Sequence, residues 1–123
     1  MSELLTKQFL FSNCLASFLK ETQRRGYACT LAEVGVAYDR KSRMGLPFKD
    51  GVHMKHSLHY CRLAADVNLF VQEPNGAWRW VTHGDDPAWT AMGEYWESLN
   101  PNCTWGGRFG DANHISVTYH GRK

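Results

Sequence analysis

No CxxC pair occurs among the four cysteines of this sequence; Cys14, Cys29, Cys61 and Cys103 stand far apart. Zinc sites of the four-cysteine kind bring their ligands in close sequence pairs, so that class is disfavoured. No run is long and apolar enough to span a membrane. The most apolar stretch, Phe9 to Leu19, is broken by Ser12, Asn13 and Ser17. The start shows no secretory pattern, because Glu3 precedes the first cation, Lys7, and no small-residue cleavage site follows. The chain is therefore expected to be cytoplasmic at synthesis, with reduced thiols, and to reach any external substrate after release or export. An excess of one charge is also lacking. Fourteen Lys and Arg against 12 Asp and Glu leave a net +2, too little to indicate a nucleic-acid partner. Internal repeats and low-complexity tracts are absent.

What remains is a chain of 123 residues, 43% hydrophobic, long enough for one core and hence one domain. Residues 3 to 25 read as an amphipathic helix, with Leu4, Leu5, Phe11, Leu15, Phe18 and Leu19 on one face and Gly26 as the stop. A strand is expected within 27 to 38. Residues 39 to 56 form a polar stretch punctuated by Gly45, Pro47 and Gly51, which reads as a long loop. Residues 65 to 72 and 77 to 82 read as a hairpin around Glu73-Pro74-Asn75-Gly76. Asp85-Asp86-Pro87 opens a second helix carrying Trp89, Met92, Trp96 and Leu99 at helical spacing, stopped by Asn100-Pro101. Ile115 to Tyr119 reads as a last strand. Helices and hairpin strands in separate runs predict an α+β fold with a small, mainly antiparallel sheet.

Two segments concentrate side chains suited to metal chemistry. A catalytic zinc usually keeps three protein ligands of His and carboxylate type. His59 and Asp66 stand seven residues apart, roughly 23 Å along a strand or roughly 10 Å along a helix. Both reach one ion only if the chain turns between them. Asp111 and His114 stand three apart in a glycine-rich stretch, where Gly106, Gly107 and Gly110 would let the backbone approach a substrate. His114 is placed to bind the ion while Asp111 faces its water. His53 and His56 precede His59 in an HxxHxxH run and read as solvated loop residues. Cys61 reads as a small buried hydrophobe. Trp89 and Trp96 read as core, and Trp105, beside Gly106-Gly107, as a cleft wall.

The stretches SLHYCRLAADVNLF, GEYWESLNPNCTWGGRF and DANHISV resemble the D-alanyl-D-alanine metallopeptidase group, above all its phage endolysins that cut the L-alanyl-D-glutamate bond of peptidoglycan. The group pattern is Ser-x-His with an Asp seven residues after the His, then an acid three residues before a second His. Ser57, His59, Asp66, Asp111 and His114 fit it. The resemblance covers roughly residues 27 to 119 and implies a hedgehog/DD-peptidase-like fold spanning residues 1–123 as one zinc peptidase domain. It implies Zn²⁺ on His59, Asp66 and His114, with Asp111 as the catalytic acid–base. Arg62 stands where the broader pattern has Gly. Arg40, with Arg43 as fallback, is the nearest match to a substrate-binding Arg, and Ser57, Arg62 and Trp105 complete the expected substrate contacts.

The expected activity is hydrolysis of a wall stem-peptide bond by a monomer whose partner is peptidoglycan. Affinity would then come from the catalytic cleft and surface charge. The same zinc machinery would serve a D-alanyl-D-alanine carboxypeptidase or dipeptidase. From other classes, the rivals are a non-catalytic wall- or partner-binding module of the same fold and a structural zinc protein.

Overall fold

The computed structural model describes residues 2–34, 58 and 61–123. Helix α1 (Glu3–Arg24) begins on Ser2, whose hydroxyl accepts from the Leu5 N–H at 3.1 Å and satisfies one of the free donors of the first turn. Gly26, at φ +79°, takes the left-handed backbone that turns the chain out of the helix. The helix buries Phe11, Cys14, Phe18, Glu21 and Thr22. Leu4, Leu15 and Leu19 pack at the margin of that face, while Leu5, expected there, is 39% exposed.

Among the described residues five strands follow, all antiparallel: β1 (Ala28–Glu33), β2 (Ala64–Gln72), β3 (Trp78–Trp80), β4 (Cys103–Trp105) and β5 (His114–Val117). The expected hairpin is β2–β3, closed where Gly76 N–H donates to the Glu73 carbonyl at 2.9 Å. The sheet order is β1-β2-β5-β4, and β3 also pairs with β2. Since β1 lines one edge of β2, β3 and β5 must share the other. Helix α2 (Pro87–Leu99) lies between β3 and β4 and starts as its sequence dictates, with Asp86 capping the Ala88 N–H and Pro87 in the first turn. The predicted α+β class with an antiparallel sheet is the class observed. Among the described residues no helix is long and apolar enough to cross a membrane.

Alternation divides the sheet into two faces. Val67, Leu69, Ile115 and Val117 are fully buried on the face covered by the helices. Trp96 of α2 joins the layers. Its ring meets Phe11 and Phe18 of α1 edge-on at 5.8 and 6.0 Å, and its indole N–H donates to the Ser116 carbonyl at 3.0 Å. All four cysteines are free thiols. Burial pushes the pKa of Cys29 and Cys61 up, and that of Cys103 up to about 12, the last with help from neighbouring Cys14. Protonated thiols of this kind are poor metal ligands.

Glu21, near the end of α1, accepts from Arg24 Nε and Arg25 Nε, each at 2.7 Å. Those bonds, Arg24's first, lower its pKa from the ordinary 4.5 to about 2. A carboxyl depressed on folding contributes stability that is fully present above pH 4.5 and is lost as pH falls toward 2. Glu21→Gln is expected to lower the Tm at neutral pH, and the gap from the parent should close across that acid window. Melting curves of both proteins against pH check this.

Candidate metal centre

Asp66 of β2 and His114, the first residue of β5, are directly opposite in the ladder. Opposed residues point to the same side of a sheet, so their side chains meet on the face away from the helices. Asp66 Oδ1 lies 3.4 Å from His114 Nδ1. Asp111 joins them from the loop before β5, where the His114 N–H donates to its carbonyl at 3.0 Å. One ligand atom from each of Asp66, Asp111 and His114 lies within 4.8 Å of the others. His114 is buried, Asp66 half-buried and Asp111 exposed. Two carboxylates and an imidazole, graded from dry to wet, form a group that could hold a metal ion.

The loop is held from below. A short 3₁₀ turn (Gly106–Phe109) ends at Gly110, whose φ is +81°. The Asp111 N–H then returns to the Gly106 carbonyl at 2.8 Å, and the Val67 N–H donates to the Asn113 carbonyl at 2.9 Å. Trp105, at the end of β4, is 4% exposed and donates its indole N–H to the Ala112 carbonyl at 2.7 Å. It lines the cavity beside Asp111 and also props the loop from its buried side. The glycines serve this packing. A Cβ on Gly106 would lie 2.7 Å from His114 Cβ and collide with the Asp111 carbonyl, and one on Gly107 would enter the Trp105 ring. The close approach expected of Gly106 and Gly107 is thus to His114, Asp111 and Trp105, while Gly110 has open space beside it. Gly93 of α2, which sequence reasoning passed over, meets the same ring from the helix side.

A turn leads into β2. The Cys61 and Leu63 N–H groups both donate to the Leu58 carbonyl, at 3.1 and 3.0 Å, and Gln8 of α1 donates to the Cys61 carbonyl at 2.9 Å. Arg62 sits in this turn, exposed, at φ +59°. That is the left-handed region glycine adopts freely, which explains why Gly suits this position in the pattern the chain resembles. Cys61 is 1% exposed, as a small hydrophobe should be. His59, Ser57, Arg40 and Arg43 lie outside the described residues, as do His53 and His56.

Two features near the centre were not anticipated. Phe109, 50% exposed, meets the His114 ring edge-on at 5.9 Å. Arg108 lies over the Trp105 ring at 5.2 Å and pairs with Glu97 of α2 at 2.7 Å, fixing the 3₁₀ turn to the helix. Next to Asp111 opens a cavity of about 760 Å³, lined among others by Asn68, Trp80, Thr82, Asp85 and Thr90. Its origin is topological. On their shared edge of β2, β5 stops at the Asp66–His114 pair and β3 starts at the Phe70–Trp80 pair, so the edge between them is left as a fork.

Gly106→Ala is expected to cost about 1–3 kcal/mol of stability, because the methyl group displaces His114 or the Asp111 carbonyl. Urea denaturation measures the loss. Compared with known proteins, the chain matches no family model and no curated sequence.

Proposed function

We propose that this chain is a zinc-dependent peptidoglycan peptidase of the endolysin type, cutting a wall stem-peptide bond, the L-alanyl-D-glutamate bond in the first instance. The observation that carries the reading is the convergence of Asp66, Asp111 and His114 on one sheet face, beside a cavity large enough for a peptide. Asp66 and His114 would hold the metal with His59, the third ligand implied by the motif. Zinc bound there would supply a Lewis acid for the scissile carbonyl and acidify a water.

The chain's own residues divide the remaining work. Asp66 and His114 are fixed by ladder pairing and by the loop hydrogen bonds, so their geometry is set before any ligand arrives. Asp111 is exposed and lines the cavity, where a carboxylate can take a proton from the attacking water and return it to the leaving amine. The buried side of His114, under Phe109, keeps water from the back of the site. A purely structural zinc site would have no use for a carboxylate standing in a solvent-filled cleft.

Asp66→Ala and His114→Ala are each expected to lose bound zinc, read by metal analysis of the purified proteins; full occupancy in either removes that residue from the site. Asp111→Asn should keep zinc and fold normally, yet lose about 10²–10⁴-fold of turnover on purified cell wall. An Asn variant that cleaves wall at the parent rate would overturn the assignment of the base. One that loses its zinc would make Asp111 a ligand and favour the structural or binding reading. Product masses from defined wall fragments identify the bond and separate endopeptidase from carboxypeptidase.

A further inference from the structure

Two of the largest side chains in the protein face solvent. Trp78 and Trp80 of β3 are 50% and 55% exposed. Residues two apart on a strand project from the same side, roughly 7 Å apart. Trp80 is opposite Phe70 and Trp78 opposite Gln72 in the ladder. Phe70 lies on the same side of β2 as Asp66, since an even number of residues separates them. The two indoles therefore stand on the metal-centre face, with Trp80 roughly 13 Å along β2 from Asp66. Trp80 also forms one lip of the fork cavity, whose other lip carries Asp111.

We propose that Trp78 and Trp80 are a stacking shelf for the pyranose rings of a neutral N-acetylhexosamine chain, held at the mouth of the fork cavity. The proposal rests on the peptidase reading above, in which the cleaved peptide hangs from such a chain. The C–H face of a sugar ring packs on an indole, while its hydroxyl and acetamido groups need hydrogen-bonding partners at the ring edge. Asn68, Thr82, Asp85 and Thr90 line the cavity and supply both donors and acceptors. A membrane calls for free cations beside the aromatics, and among the described residues the nearby arginines are engaged: Arg108, which lines the cavity, pairs with Glu97. Arg79, between the two tryptophans, projects to the opposite side and is taken up by Glu73 at 2.6 Å and Asp86 at 3.4 Å.

The test titrates a peptide-free N-acetylglucosamine tetramer into the full zinc-loaded chain and reads the Kd by calorimetry. The parent is expected to bind. Trp80→Ala should weaken binding by at least about tenfold and Trp78→Ala by several-fold, while Trp80→Tyr keeps most of it. Phe9→Ala, which removes an equally exposed aromatic from α1, should bind as the parent does. Both tryptophans are solvent-facing, and circular dichroism confirms that the variants fold. A parent that does not bind the tetramer overturns the shelf, as does a Trp80→Ala variant of parent affinity. So does a pattern in which the variants instead lose binding to a sugar-free stem peptide or to anionic phospholipid vesicles. A protein that binds the tetramer through Trp80 but releases no wall peptide keeps the shelf and overturns the peptidase reading. One that cleaves wall without binding the sugar does the reverse.

Discussion

Trp105 lies so close to Gly93 of α2 and Gly107 of the 3₁₀ turn that a methyl group on either glycine would occupy its ring. From that position its indole N–H reaches the Ala112 carbonyl and fixes the loop that presents Asp111 and His114. Helix, strand and loop are thus set at distances defined by one rigid aromatic plane with no slack on either side. Protein interiors transmit displacement because they are packed to crystal-like density. A shift of α2 is therefore felt at Asp111 and His114 through this ring, although α2 contributes no side chain to the proposed ligand set.

The sheet separates two chemistries with a single strand. Along β2, Val67 and Leu69 enter the core while Asp66 and Asn68 face the cleft, where Asn68 donates to Thr30 of β1 at 3.2 Å. On β5 Ile115 and Val117 likewise alternate with polar His114 and Ser116, all four of them buried. Backbone pairing, which fixes each residue's ladder position, is thereby enlisted to aim the polar side chains. A slip of β5 by one residue would bury His114's neighbours wrongly and turn the imidazole into the apolar core. Register and site geometry are one constraint.

Much of this was legible in the chain. The first helix was marked by its apolar periodicity and by Gly26, and the second by Asp86-Pro87, because caps and stops are local chemistry. The β2–β3 hairpin was announced by Pro74-Asn75-Gly76. The three-residue strand β4 was not, since Cys103-Thr104-Trp105 is too short to show a period and becomes a strand only by pairing with β5. Asp66, Asp111 and His114 were identified by motif and are brought together in space, but spacing alone could not show that β2 and β5 would be neighbours. Gly106 and Gly107 were read as room for a substrate, whereas their neighbours are His114, Asp111 and Trp105, and of that stretch only Gly110 faces open space; a sequence shows that a side chain is missing, not what fills the place. Gly93 in a helix carried no signal beyond its mild cost there.

The Asp66–His114 pair also has a temporal side. The hairpin β2–β3 and the two helices are built from contacts close in sequence, which form early and cheaply in loop entropy. The pairing of β2 with β5 closes a loop that contains β3, α2 and β4, so it can be completed only after those elements have found their places. The ligand pair belongs to that final closure. A metal held there would act on the chain as a clasp across a long-range seam, and its removal would loosen that seam first.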